Sequence, residues 1–132
     1  MTLEQLSSVY NLKTRRADML ARLDELRACS PQSPALDGLP HGGTYGRGKT
    51  ERLAVAIVDL AARIENLELE FWHEYRLIYT WINDIPDSLT RQVFRARFLD
   101  CQTWPQVART VGGDTTAESV KKICYRYLRQ QS

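Results

Sequence analysis

The sequence predicts an all-α fold in which a long, coiled-coil-like antiparallel helical hairpin is followed by a C-terminal domain of three short helices. Residues 6–27 and 49–83 contain no glycine or proline and repeat apolar residues at alternating spacings of three and four, which is the period of an amphipathic helix. Residues 29–48, rich in proline and glycine, separate these two segments and predict an irregular loop. We therefore expect two domains, residues 1–84 and 85–132.

The two long helices carry apolar seams that fit each other as a hairpin. The first seam consists of Val9, Leu12, Met19, Leu23 and Leu26. The second spans four heptads, a coiled-coil length, and consists of Leu53, Ile57, Leu60, Ile64, Leu67, Phe71, Ile78 and Trp81. Because the loop lets the chain reverse direction, we expect the seams to pack together in antiparallel fashion. The longer second helix then needs a further partner, either the C-terminal domain or a second copy of the protein.

Capping signals after Pro86 delimit three short helices. In order, the signals are an N-cap at Asp87 or Ser88, a capping box of Thr103 with Gln106, a glycine break at Gly112 and Gly113, and an N-cap at Thr115 or Thr116. Three short helices within residues 85–132 are typical of a helix-turn-helix domain.

Composition narrows the location and chemistry of the protein. No apolar run approaches the roughly 20 residues of a membrane span, and residues 1–5 lack the features of a signal peptide. The cysteines Cys29, Cys101 and Cys124 are far apart and lack metal-binding spacing. We therefore expect a cytoplasmic protein with free thiols, no membrane association, no metal and no cofactor.

Charge is distributed unevenly along the chain. Residues 1–85 hold 10 Lys and Arg against 12 Asp and Glu, whereas residues 86–132 hold 8 against 4. The C-terminal domain is therefore net +4 and the remainder net −2. This asymmetry indicates a basic end that meets a polyanion.

Residues Gly43–Thr50 match the G-x-x-x-x-G-K-T pattern of a phosphate-binding loop. That loop needs a buried strand before it and a parallel sheet behind it, and the upstream Ser30–Pro34 segment cannot form such a strand. We therefore do not expect nucleotide hydrolysis, find no catalytic constellation, and expect the protein not to be an enzyme. A weaker expectation remains that Arg47, Lys49 and the loop amides contact a phosphate at the start of the second long helix.

The segments Gln92–Leu99, Thr103–Ala108 and Thr116–Ile123 together resemble the region-4 helix-turn-helix of sigma factors. The resemblance implies that the final helix enters the major groove of double-stranded DNA. By this resemblance, the positions that contact DNA are Ala117, Glu118, Ser119, Lys121 and Lys122. The cations Arg126 and Arg129 of the same helix, together with Thr103 and Thr116 at the starts of the last two helices, complete the predicted DNA-binding residues. Compared with that family, the turn is lengthened at Gly112–Thr115, and Ala117 and Ser119 stand where arginines are common.

The whole chain, with its Leu39–Gly43 loop and Ile57–Leu60 helix, resembles phage and prophage regulators of the ArpU/RinA type. The resemblance implies a sequence-dependent DNA-binding transcriptional regulator of phage or prophage genes. RNA polymerase is a candidate partner, and we expect a homodimer or higher oligomer formed through the hairpin. Two alternatives stay open: a DNA-packaging subunit similar to small terminases, and a helical adaptor that binds only protein.

Overall fold

The fold is all-helical in the part of the chain that the computed structural model describes, which is residues 1–29 and 43–131 without the side chains of 43–47. These residues contain no β-strand, so the predicted all-α class is confirmed. The elements are α1 (Leu3–Leu6), α2 (Ser8–Ala28), α3 (Gly43–Asn83), α4 (Ser88–Phe94), a π-helical segment (Arg95–Leu99), α5 (Trp104–Val111) and α6 (Ala117–Gln131).

None of these helices combines the length and the apolar character needed to cross a membrane. The three cysteines are free thiols that differ in accessibility. Cys29 is exposed, Cys101 is half-buried and Cys124 is buried.

Helical structure begins earlier at the N-terminus than residue 6. The Thr2 hydroxyl accepts a hydrogen bond from the Gln5 N–H at 3.2 Å, and the Gln5 side chain accepts one from the Thr2 N–H at 2.9 Å. This reciprocal pair is a capping box, which satisfies two donors that a helix start otherwise leaves unpaired. It starts the one-turn helix α1, and Ser7 separates α1 from α2.

The predicted loop over residues 29–48 is wrong at its C-terminal end. Helix α3 begins at Gly43, so Gly43–Gly48 are helical. Glycine costs only about 1 kcal/mol relative to alanine within a helix, so three glycines among these residues weaken the helix without excluding it. Residues 30–42 of the predicted loop lie outside the described residues.

The chain divides into two compact units, and the predicted boundary at residue 84 falls inside the first of them. Unit 1 comprises Met1–Lys13 with Glu70–Ser132, and unit 2 comprises Thr14–Leu69. Long helices therefore contribute to both units. The predicted boundary lies where Pro86 ends the helical pattern of the sequence. The two units are instead defined by which parts of the chain contact each other in three dimensions.

Unit 1 has an apolar core to which the end of α3 contributes directly. Ile78, Ile82 and Ile85 are almost completely buried with Val93 and Phe94 of α4. The Trp81 ring lies 5.5 Å from the Phe94 ring and 5.8 Å from the ring of Tyr127 in α6. The end of α3 is thus covered by the C-terminal helices, which is one of the two partners expected for it.

The π-helical segment places three neighbouring side chains in this core. Ala96, Phe98 and Leu99 are all buried. The Asp100 N–H donates to the Arg95 carbonyl at 3.0 Å, the i to i+5 bond that defines a π-helix. The apolar residues Leu89, Val93, Ala96 and Phe98 predict one continuous helix to about residue 99. The structure divides this stretch into α4 and the π-helical segment.

Unit 2 has its own smaller core, formed between α2 and α3. Leu23 of α2 is buried together with Leu60 and Ile64 of α3. Arg16 and Glu68 form an ion pair, with Nη2 and Oε1 2.8 Å apart. Both side chains are more than a third exposed, so the pair contributes little beyond orienting the two helices.

Candidate nucleic-acid interface

Helix α5 is fixed at its start by the predicted capping box. The Thr103 N–H donates to Gln106 Oε1 at 2.9 Å, and the Gln106 N–H donates to Thr103 Oγ1 at 3.4 Å. Val107 and Ala108 on the same helix are buried, and α5 packs against α6. Thr103 itself is exposed, so its side chain stands at the surface where α5 begins.

The turn between α5 and α6 depends on two glycines. Gly112 has a φ of 83° and Gly113 a φ of 67°, in the left-handed region that glycine enters without steric cost. Thr115 Oγ1 donates to the Gly112 carbonyl at 2.6 Å, which closes the turn. The sequence predicted this break, and its backbone geometry accounts for the two consecutive glycines.

Thr116, rather than Thr115, caps α6. Thr116 Oγ1 accepts from the Ser119 N–H at 3.2 Å, and Ser119 Oγ accepts from the Thr116 N–H at 3.1 Å. Ser119 Oγ also lies 2.9 Å from the Thr116 carbonyl, to which it donates. The hydroxyls of two predicted DNA-binding residues are therefore engaged in starting the helix.

Helix α6 separates its residues into a buried and an exposed side. Val120 and Cys124 are buried, with Ile123, Tyr127 and Leu128 partly buried beside them. The opposite side, here called the outer face of α6, consists of exposed residues: Glu118, Lys122, Tyr125, Arg126 and Arg129. Their spacings of three and four place them along one side of the helix.

The outer face of α6 brings together four of the nine predicted DNA-binding residues. Glu118, Lys122, Arg126 and Arg129 lie on it, whereas the partly buried Ala117, Ser119 and Lys121 flank it. Among the described residues, no carboxylate lies within ion-pairing distance of Lys122 or Arg126. Arg129 Nε donates to the Tyr125 carbonyl at 3.4 Å. The three cations give this side of the helix a positive charge.

Lys49 and Arg47, the predicted phosphate contacts, lie within α3. Since the helix begins at Gly43, the amides from residue 47 onward lie in its interior, where each has a carbonyl acceptor four residues earlier. The helix start therefore lies at Gly43 rather than near residue 49, and the contact of Arg47, Lys49 and the loop amides with a phosphate stays a prediction. Lys49 is an exposed cation, and the side chain of Arg47 lies outside the described part.

Sequence reasoning missed an arginine that organises the start of α5. Arg97 Nη1 donates to the Gln102 carbonyl at 2.8 Å, and its guanidinium lies 4.5 Å from the centre of the Trp104 ring. The Trp104 ring in turn lies 6.3 Å from the ring of Tyr125 on the outer face. The sequence analysis counted Arg97 only in the basic charge of the C-terminal part. The aromatic residue Trp104, directly after the Thr103 cap, is a sequence signal that could have indicated this stacking.

A second group of missed cations lies on α4 and at the start of the π-helical segment. Arg91, Gln92 and Arg95 line an open surface groove of about 490 Å³ together with Asn83 and Ser88. Arg95 Nη2 donates to Asn83 Oδ1 at 3.0 Å. This groove adds two positive charges to the surface of unit 1.

The pKa shifts in the described part of unit 1 have structural causes. Burial raises the pKa of the Cys124 thiol to about 12 and also raises the pKa of Cys101. Hydrogen bonds from the Thr90 hydroxyl and N–H lower the pKa of Asp87, which caps α4. These shifts follow from core packing and from helix capping. In the described ranges, no group of three or more metal-binding side chains comes together.

Comparisons with protein-family models, with curated proteins and with solved structures found no match to this chain.

Proposed function

We propose that this chain is a sequence-dependent DNA-binding transcriptional regulator of phage or prophage genes, without enzymatic activity, acting in the cytoplasm of a bacterial host. The observation that carries the proposal is the outer face of α6, where three cations lie opposite a buried apolar side. This face lies on α6, which begins at its own cap. Helix α5, with its capping box, and the glycine turn come directly before α6. We interpret α5, the turn and α6 as a helix-turn-helix with α6 as its recognition helix.

The proposed roles of the residues follow from their positions on α6. The first turn, with Thr116, Ala117, Glu118 and Ser119, approaches base edges in the major groove. Glu118 is the acceptor for a cytosine amino group. The cations of the later turns contact phosphates, which position the protein and make binding salt-dependent; they are Lys121, Lys122, Arg126 and Arg129. Thr103, exposed at the start of α5, adds a phosphate contact.

The long helices supply the proposed second element, an antiparallel hairpin. In unit 2, Arg16 pairs with Glu68, and seven residues later Leu23 packs with Leu60 and Ile64. The partner number falls as the residue number rises, which supports antiparallel α2 and α3 segments. We propose that this hairpin forms a homodimer or contacts RNA polymerase, since one helix-turn-helix module binds DNA weakly and pairing it raises the effective affinity.

The proposal is tested by fluorescence anisotropy on DNA fragments from the protein's own genetic neighbourhood, titrated with salt. The decisive variant is Lys121→Ala/Lys122→Ala/Arg126→Ala. Its matched control, Arg15→Ala/Arg22→Ala/Arg63→Ala, removes the same charge from exposed positions of unit 2. We expect the first variant to flatten the slope of log affinity against log salt by about one for each side chain that binds a phosphate. The control should keep the wild-type slope.

Two results would replace the proposal. Absence of salt-dependent binding, or equal behaviour of the two triple variants, would assign the C-terminal helices to a protein-only adaptor. A large ring in solution that binds DNA would instead favour a packaging subunit similar to small terminases. A monomer or dimer with salt-dependent, sequence-dependent binding supports the regulator.

A further inference from the structure

Helix α3 carries a second apolar stripe within unit 2, on the side opposite its buried seam. This outer stripe of α3 consists of Val55, Val58, Ala62 and Leu69, with Glu65 at the intervening position. The spacings of three and four are those of the a and d positions of a coiled coil. Val55, Val58 and Leu69 are 59%, 66% and 68% exposed, whereas Leu60 and Ile64 on the other side are buried. Unit 2 therefore leaves one coiled-coil face of α3 uncovered.

We propose that the part of this stripe at residues 55–58 pairs with the same part of a second copy of the protein, with the two α3 helices antiparallel. The inference rests on the proposed function, in which the hairpin forms a homodimer. It adds which surface of α3 makes the contact and that the two α3 helices run antiparallel. A two-fold symmetric interface presents the same patch on both subunits. The patch must therefore be complementary to itself, and the residues around Val55 and Val58 have this property.

The register that places Val55 against the partner's Val58 also pairs the flanking residues. On one flank, Arg52 faces the partner's Asp59, and by symmetry Asp59 faces the partner's Arg52. On the other flank, Ala54 faces the partner's Ala61, and these small side chains allow close approach of the helices. Arg52 and Asp59 are both exposed, and within the described residues neither forms an ion pair. Their charges are thus available for these two symmetric contacts.

A parallel arrangement of the two α3 helices would lose the contacts between Arg52 and Asp59. In a parallel coiled coil the position facing Asp59 is Ala54, which offers no opposite charge. A groove of about 610 Å³ runs beside the stripe and is lined by Gly48, Glu51, Arg52, Val55, Ala56 and Asp59. Gly48 has open space where a Cβ would lie, so this groove has room for side chains of the partner.

The test is analytical ultracentrifugation of the full chain without DNA, over a range of concentrations. Wild-type protein is expected to show a monomer–dimer equilibrium. Arg52→Asp or Asp59→Arg alone replaces two attractive contacts per dimer with two repulsive ones, and should weaken association by about tenfold or more. An equal mixture of the two single variants should regain association, because each supplies the charge that the other has given up.

Controls keep the test independent of folding and of DNA binding. Arg22→Asp and Asp18→Arg reverse exposed charges on α2 and should leave association unchanged, while circular dichroism checks that every variant is helical. Val58→Lys should abolish association. A monomer at every concentration, or no recovery in the mixture, overturns the proposal and assigns the stripe to a different partner. The ultracentrifugation contains no DNA, so its result is separate from the anisotropy titration that measures DNA binding. A protein that dimerises but does not bind DNA would refute only the proposed function. A protein that binds DNA as a monomer would refute only this inference.

Discussion

Replacing Ile82 with alanine tests whether the end of α3 belongs to the core of the C-terminal helices. Ile82 is 0% exposed, whereas Leu77 on the same helix is 50% exposed. Ile82→Ala removes three buried carbons, worth about 0.8 kcal/mol each, and leaves a cavity, so the total loss is expected at about 2–5 kcal/mol. Leu77→Ala should cost less than about 1 kcal/mol. Since a domain is stabilised by only about 5–15 kcal/mol, the first loss is a large fraction of the stability of unit 1.

The assay is urea unfolding followed by tryptophan fluorescence, compared with circular dichroism. Trp72, Trp81 and Trp104 all lie in unit 1, so fluorescence reports the unfolding of that unit, while circular dichroism also reports unit 2. We expect the fluorescence midpoint of Ile82→Ala to fall well below that of Leu77→Ala. Similar midpoints for both variants would contradict the assignment of Ile82 to the core and would favour the predicted domain boundary near residue 84.

Three further predictions concern single side chains of unit 1. Thr116→Ala removes the acceptor for the Ser119 N–H and should cost about 1 kcal/mol in urea unfolding, whereas Thr116→Ser should cost much less; equal losses would contradict the capping role. Because burial raises the pKa of Cys124 from its ordinary 9.0 to about 12, the unfolded chain ionises first, and stability should fall as pH rises across that range. Cys124→Ala should remove this part of the alkaline loss, and urea midpoints at pH 8 to 11 measure it; an unchanged slope would refute it. Arg97→Lys removes the guanidinium that stacks on Trp104 and should lower the free energy of unfolding by about 1 kcal/mol. A urea midpoint equal to that of the wild-type protein would contradict this prediction.

Local signals predicted the elements of the C-terminal part well. The capping box of Thr103 and Gln106 and the glycine break at 112–113 are encoded in a few neighbouring residues, and the structure confirms both. The capping box of Thr2 and Gln5 is the same kind of signal, and its use would have predicted α1. Such motifs are readable because their hydrogen bonds join residues three positions apart.

Features set by distant packing were not predictable in the same way. The start of α3 at Gly43 contradicts the local preference of its glycines. The division into units depends on which core encloses Ile82, a contact between residues remote in sequence. At the candidate interface, periodicity separated the exposed Lys122 and Arg126 from the buried Val120. The stacking of Arg97 on Trp104 required the three-dimensional placement of two elements.

The π-helical segment Arg95–Leu99 has a consequence for how chain length varies among proteins of this type. A π-helical turn is equivalent to an α-helix with one inserted residue. Deleting one residue between Phe94 and Leu99 would therefore yield an ordinary α-helical turn while the elements on either side keep their own sequences. Homologues with a single-residue gap at this place would then share the fold, and an alignment that forbids the gap would misplace Thr103 and every residue of α6 by one position.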